Sequence, residues 1–129
     1  MRNIILLLML AAVSSNAMAE WIRVDGDATS TLYYDTSRII KNDSMVKMWS
    51  LINYKTPQAL VHGAYMSEMM QDEFNCKDEL VRNLYHSYHS DAMGKGDKLL
   101  PTFFPEKWSP VEPNSLNESI LKLACSKKK

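Results

Sequence analysis

The sequence is poor in the features that define several protein classes. It carries no excess charge, with 15 Lys and Arg against 15 Asp and Glu, so it lacks the basic surface that a nucleic-acid binder needs to neutralise phosphates. Four Gly and five Pro in 129 residues exclude a collagen-like chain, and two Cys exclude a disulfide-dense scaffold. With 46% hydrophobic residues the chain is not disordered. One small globular domain is expected.

The one long hydrophobic run lies at the N-terminus. Ten uncharged residues, 4–13, follow Arg2 and precede the small residues of Ala17-Met18-Ala19. A run of this length is too short to span a bilayer, which takes about 20 residues. The pattern predicts a signal peptide over residues 1–19, with cleavage between Ala19 and Glu20.

The mature domain is then residues 20–129, with no transmembrane segment. No Cys follows the hydrophobic run, so the leader offers no site for bacterial lipid attachment. We expect an exported protein that is periplasmic, associated with the outer membrane, or secreted.

Two cysteines, Cys76 and Cys125, lie in the exported part. An even number of cysteines in an oxidising compartment predicts one disulfide. A structural zinc site would need further ligands at short paired spacings. A catalytic thiolate would need His and Asn partners. Neither pattern surrounds these cysteines, so the disulfide is the simplest interpretation.

Short β-rich runs separated by turn residues make up most of the mature chain. Residues Thr56-Pro57-Gln58 are expected to end the fourth run, and residues 59–64 are ambiguous. Residues 78–90 also fit a helix, because Leu80 and Leu84 are four positions apart. About six short strands without intervening helices predict an antiparallel sheet. The runs are 21–24, 31–35, 38–41, 45–54, 65–75 and 80–90.

The C-terminus carries the clearest local signal. Ser115 and Glu118 form a capping box, and an apolar stripe recurs at helical spacing through Leu116, Ile120, Leu123 and Ala124. A helix over residues 115–125 is predicted, with its apolar face on the sheet. The expected fold is therefore α+β: an antiparallel sheet of about six strands, with this helix packed on one face and held by the disulfide.

Taken in order, several short motifs resemble the surface-adhesin protein E family of exported bacterial proteins. The resemblance spans roughly residues 21–125. It implies the same sheet and helix, adhesion to host extracellular-matrix or plasma proteins, and pairing of protomers as a homodimer. Some members are lipid-anchored, and this leader has no lipidation cysteine. The motifs are Trp21, Tyr33-Tyr34-Asp35, Val46-Lys47-Met48-Trp49, Glu73-Phe74-Asn75-Cys76, Met93-Gly94-Lys95-Gly96, Trp108-Ser109-Pro110-Val111 and Ala124-Cys125.

One aromatic and polar stretch, Tyr85, His86, Tyr88 and His89, has the composition of a protein interface. The same residues are also ordinary in a half-buried strand. Strict alternation would place Leu80, Leu84 and Tyr88 on one face with Arg82 and His86, and Val81, Tyr85 and His89 on the other. The two histidines would then point to opposite faces, which argues against a metal site with Asp91.

The basic end, Lys127, Lys128 and Lys129, is a second candidate for partner binding. A terminal lysine offers an ammonium and a carboxylate together, the zwitterion that kringle-type lysine sites recognise. Such a tail is also often merely solvated.

No assembled catalytic motif is present. Gly94-Lys95-Gly96 lacks the spacing of a phosphate-binding loop, and there is no nucleophile elbow. We expect no enzyme activity, no cofactor and no metal. The predicted function is recognition of host extracellular proteins. The alternative is a periplasmic accessory or inhibitor protein that binds a bacterial protein or peptide, by strand addition to a sheet edge.

Overall fold

The computed structural model describes residues 19–103 and 105–126. The predicted signal peptide lies outside these residues except for Ala19, and so do Lys127, Lys128 and Lys129. These residues form one α-helix, eight strands and a short 3-10 helix at Ala92–Gly94. In chain order, the strands and the α-helix are β1 (Trp21–Gly26), β2 (Ser30–Asp35), β3 (Ile40–Asn42), β4 (Met45–Leu60), β5 (Gly63–Asn75), β6 (Leu80–His89), β7 (Lys98–Thr102), β8 (Ser109–Pro110) and α1 (Leu116–Cys125).

All the strands belong to one antiparallel sheet. Six strands run in the order β1-β2-β4-β5-β6-β7, while β3 pairs with β4 and β8 pairs with β6. The sheet therefore has more strands than the six or so expected from the sequence. The two strands for which the sequence analysis predicted no run are β7 and β8, which are five and two residues long. Pro101 interrupts the pattern in β7, and β8 is too short to show a period-2 pattern.

Strand β4 is longer than predicted. We expected Thr56-Pro57-Gln58 to end it, but it continues to Leu60 and joins β5 through a two-residue turn at Val61 and His62. The pairing register with β5 shifts between Asn53 and Gln58. Because proline lacks an N–H, it is tolerated in a sheet where the ladder is already interrupted. Pro57 lies in this interruption, so it bends the strand without ending it.

The core lies between α1 and one face of the sheet, here called the helix face. Val46 of β4 pairs with Phe74 of β5, which pairs with Val81 of β6. Ile120 and Leu121 of α1 are buried against this layer. Burial of these side chains supplies most of the free energy that holds the helix.

The helix begins as predicted. The Glu118 N–H donates a hydrogen bond to Ser115 Oγ at 3.1 Å, so Ser115 is the N-cap. The buried stripe differs from the expected one: Leu116 is 44% exposed and Leu123 is only half-buried, while Leu121, which was not predicted, is buried. Leu116 lines a cavity beside the first turn of the helix.

The predicted disulfide is confirmed. Cys76, just after β5, is bonded to Cys125 in the last turn of α1, with their Cα atoms 5.5 Å apart. This bond joins the C-terminal end of the helix to the strand turn beneath it. It fixes the C-terminal end of α1, whereas the cavity lies beside the N-terminal end.

Candidate functional site

A β-bulge in β6 divides the predicted aromatic stretch between the two faces of the sheet. Gln71 pairs with Tyr85 but Asp72 pairs with Asn83, so Leu84 has no partner on β5. The alternation therefore reverses at Leu84. His86 and Tyr88 join Val81 and Asn83 on the helix face, whereas Tyr85, Ser87 and His89 join Arg82 on the opposite, open face.

This bulge corrects part of the sequence interpretation. Strict alternation predicted that Arg82 shares a face with His86, and that Val81 shares a face with Tyr85. Both predictions are wrong, because the extra residue at the bulge reverses the alternation. His86 and His89 do lie on opposite faces. Within residues 19–103 and 105–126, no group of three or more His, Cys, Asp or Glu side chains could hold a metal ion.

His89 is part of the interior rather than of a binding surface. It is 4% exposed, with its Nε2 atom 2.8 Å from Ser87 Oγ. Its Nδ1 atom is buried without a hydrogen-bond partner in the described part of the chain. Burial, and to a smaller degree the charge of Lys98, lowers the pKa of His89. The expectation that His89 contacts a partner therefore does not fit its position.

His86 and Tyr88 belong to a tyrosine cluster on the helix face, defined by Tyr54, Tyr65, Glu68, His86 and Tyr88. The rings of Tyr65 and Tyr88 are 4.5 Å apart between centroids. Glu68 Oε1 lies 2.8 Å from His86 Nε2, and Tyr54 Oη donates to Glu68 Oε2. The cluster is tied together by one carboxylate.

The titration of this cluster follows from its burial. Burial raises the pKa of Glu68, but the hydrogen bonds from His86 and Tyr54 outweigh it and hold the net pKa below its ordinary value. Burial first, and then the Glu68 carboxylate, raises the pKa of Tyr54. At neutral pH the carboxylate is ionised and the phenol keeps its proton.

Tyr85 lies in a groove on the open face. Trp49 of β4, Gln71 of β5 and Tyr85 of β6 are paired across the sheet and form its floor. The ring centroid of Tyr85 is 5.2 Å from that of Trp49 and 5.0 Å from that of Phe103. The groove encloses about 620 Å³. We call it the open-face groove.

Two cations flank the aromatic floor of this groove. The Arg38 guanidinium lies 4.9 Å from the Trp49 ring centroid, and Lys98 Nζ lies 5.8 Å from that of Tyr85. Arg38 is held by Asp35, with Nε 2.5 Å from Oδ2. The groove therefore presents aromatic area and positive charge, with Trp49, Tyr85 and Lys98 on strands and with Arg38 and Phe103 on loops.

A smaller cavity of about 340 Å³ lies on the helix face, between the first turn of α1 and the sheet. We call it the helix-face cavity. Its walls are mostly apolar, but Asp72 reaches it and is only 7% exposed. Burial raises the pKa of Asp72 to about 6, against the lowering effect of the hydrogen bond from Asn83. Its lining includes Ser50, Ile52, Met70, Asp72, Leu116 and Ile120.

A sequence profile of the surface-adhesin protein E family matches residues 21–126, which is 106 of the 129 residues. The chain belongs to the surface-adhesin protein E family. The match covers every strand and the helix, so the resemblance seen in the sequence motifs is confirmed. No protein of curated function matches the sequence significantly.

Solved structures similar to this chain are those of Haemophilus influenzae protein E. Crystal form II has a TM-score of 0.67 and 13% identity, over 82% of this chain and 87% of that one. A second structure has a TM-score of 0.65 and 13% identity over 82% and 83%. A third, from non-typeable H. influenzae, has a TM-score of 0.65 and 13% identity over 87% and 79%. At this identity the likeness shows that the fold is the same.

Two features of the protein E-like domain were missed in the sequence. Arg38, Trp49 and Phe103 are far apart in sequence, and only strand pairing brings them beside Tyr85. The burial of Asp72 depends on where α1 docks, which no local pattern in the sequence shows. No helix among the described residues is long and apolar enough to cross a membrane.

Proposed function

We propose that the mature chain, residues 20–129, is an exported, non-enzymatic adhesin that binds host extracellular-matrix or plasma proteins through the open-face groove. Membership of the surface-adhesin protein E family supports the adhesive role. The single structural observation that carries the choice of surface is the row of Trp49, Tyr85 and Phe103 rings, flanked by Arg38 and Lys98.

The groove has the physical character of a protein-binding hot spot. Trp, Tyr and Arg are the residues enriched where interfaces derive most of their binding energy. Phe103 is 67% exposed, so a large apolar area is available to a partner. Trp49 and Tyr85 stand on paired central strands, and binding therefore orders few side chains.

The proposal is tested with purified mature chain and a panel of immobilised matrix and plasma proteins, by surface plasmon resonance. For any partner bound, Tyr85→Ala and Phe103→Ala should each weaken the affinity about ten-fold, the cost of losing a central aromatic contact. Tyr65→Ala is the matched control, because it removes an aromatic ring from the helix face. Equal affinity of the groove variants and the wild-type chain would contradict the choice of surface.

The basic tail is a separate contact within the same proposed function. A chain that lacks Lys127, Lys128 and Lys129 should bind plasminogen, a protein with kringle-type lysine sites, more weakly than the full domain. Equal binding by the two forms removes the tail from the proposal but leaves the groove intact.

A periplasmic accessory role is the alternative. Strands β1 and β7 form the two ends of the main strand path, and exposed sheet edges accept an added strand from a peptide or from a second protomer. The same edges could pair two copies in a homodimer. Cell fractionation separates the two roles: protein on intact cells that is accessible to protease supports the adhesin, and protein confined to the periplasm supports the accessory role.

A further inference from the structure

The helix-face cavity contains two buried polar groups that the fold leaves incompletely bonded. Asp72 is 7% exposed and Ser50 is 3% exposed. Asp72 Oδ1 accepts a hydrogen bond from Asn83 Nδ2 at 3.0 Å. Both residues line the cavity. Asp72 Oδ2 and Ser50 Oγ have no protein hydrogen-bond partner within the described part of the chain, but neither atom is sealed from the cavity space, since His89 Nδ1 is the one fully enclosed side-chain atom there without a partner.

A half-bonded buried carboxylate is costly for the fold. Taking an ionised group out of water without full compensation destabilises the native state. A neutral side chain of the same size would avoid this cost. Nearby charges do not remove this cost, because His86 favours the ionisation of Asp72 whereas Glu106 opposes that ionisation. A perturbed carboxylate in a cleft is a candidate binding group for this reason.

The walls of the cavity define the rest of the ligand. Ile52 and Met70 lie on the sheet side, and Leu116 and Ile120 lie on the helix side. These side chains offer van der Waals contact to an aliphatic stem and no hydrogen bonds. The volume of about 340 Å³ is in the range of small-ligand sites.

We propose that the helix-face cavity binds an ammonium cation carried on an aliphatic stem, with the ammonium between Asp72 and Ser50. This chemistry is shared by a lysine side chain and a free alkylamine. Asp72 pairs with Met48 and Ser50 pairs with Met70, so Asp72 and Ser50 are diagonal neighbours on the helix face. An ammonium has three donors, which suits a position between these two acceptors. Glu118 in the first turn of α1 offsets the positive end of the helix dipole nearby. The site is independent of the open-face groove.

Isothermal titration of the mature chain with three six-carbon probes tests the charge of the ligand. Hexylammonium should bind at least about ten-fold more tightly than hexanol, because only the cation can form an ion pair with Asp72. Hexanoate should bind least. Equal or tighter binding of hexanol or hexanoate would overturn the proposal. With Nα-acetyl-lysine amide as a fourth probe, binding indicates a peptide lysine as the natural source, and binding of hexylammonium alone indicates a free amine.

Asp72→Asn separates a binding role from a structural one. The variant should lose about ten-fold or more in affinity for hexylammonium and should melt at a higher temperature than the wild-type chain at pH 7.5. A purely structural carboxylate would give the opposite change in melting temperature. Glu112→Gln, which neutralises an exposed acid outside the cavity, should change neither property. Unchanged hexylammonium affinity in Asp72→Asn would overturn the proposal.

A second, independent observation concerns the start of the mature chain. The Glu20 backbone N–H donates to Asp35 Oδ1 at 3.1 Å, and Asp35 is completely buried. The same carboxylate accepts from Ser37 and Arg38. Burial raises the pKa of Asp35, but these hydrogen bonds outweigh it and hold the pKa below its ordinary value.

We infer that signal-peptide removal completes this buried charge network. The inference rests on the predicted cleavage site. Hydrolysis of the Ala19–Glu20 bond by water leaves a carboxylate on Ala19 and an amine on Glu20, which takes up a proton. The resulting ammonium takes the place of the Glu20 backbone N–H that donates to Asp35 Oδ1. An ion pair with a buried carboxylate is stronger than the amide hydrogen bond it replaces.

Two chains released from a fusion partner test the ion pair, one beginning at Glu20 and one at Ala19. The Glu20 chain should have the higher melting temperature, and its α-amino pKa, followed by NMR, should lie above the ordinary value of about 8. Equal melting temperatures, or an unshifted α-amino pKa, would overturn the inference. N-terminal sequencing of the exported protein tests the cleavage site separately.

Discussion

The disulfide between Cys76 and Cys125 should contribute a large share of the stability of this domain. It closes a loop of 49 residues, and restricting a loop of this length in the unfolded chain is worth about 4 kcal/mol. A small domain has a total free energy of unfolding of about 5–15 kcal/mol. Reduction, or the double variant Cys76→Ser and Cys125→Ser, should therefore lower the melting temperature by roughly 16 °C, at about 4 °C per kcal/mol.

The fold should nevertheless survive reduction at 25 °C. Ile120, Leu121 and Ala124 remain buried against the sheet without the bond, and their burial holds α1 in place. Urea denaturation of the oxidised and reduced chains, followed by far-ultraviolet circular dichroism, measures the difference. Coincident unfolding curves would refute the loop-entropy reasoning. Loss of structure on reduction without urea would refute the claim that helix packing suffices.

Three further changes give defined outcomes. Asp72→Asn should stabilise the fold by roughly 3 kcal/mol at pH 8 and by little near pH 4. The folded-state pKa of Asp72, about 6, is raised above the unfolded value of about 3.9, so the wild-type chain loses stability as the pH rises from 4 to 6. Urea titrations at both pH values would measure the difference. Gly94→Ala should destabilise the fold, because Gly94 has φ +71° and an added Cβ would lie 3.3 Å from Leu51 Cδ1 and 2.6 Å from Met69 Cε; a melting temperature equal to that of the wild-type chain would contradict this. Ser115→Ala should cost about 1 kcal/mol through the lost N-cap, measured by thermal unfolding.

Features that depend on local chemistry could be predicted from the sequence. The capping box places Ser115 at the helix start. Its hydroxyl accepts from the Glu118 N–H, and the Glu118 carboxylate accepts from the Asn114 N–H just before the helix. The cysteine count and the predicted export give the disulfide. The paired strands around Cys76 follow from apolar runs on either side of a polar turn.

Features that depend on the partner strand could not be predicted. The bulge at Leu84 is a mismatch between β5 and β6, and neither strand reveals it alone. The continuation of β4 past Pro57 likewise depends on a register shift with β5. The burial of Asp72 depends on the docking of α1. These three features decide which side chains share the open-face groove and the helix-face cavity.

The proposed binding of host matrix and plasma proteins by the open-face groove can be measured in one comparison of variants. Surface plasmon resonance compares the wild-type mature chain with a Tyr85→Ala and Phe103→Ala double variant and with Tyr65→Ala, over one panel of immobilised proteins. We expect at least one partner that the wild-type chain and Tyr65→Ala bind with the same affinity, and that the double variant binds at least about ten-fold more weakly. The same affinity for all three chains, or no binding to any protein of the panel, would contradict this proposal.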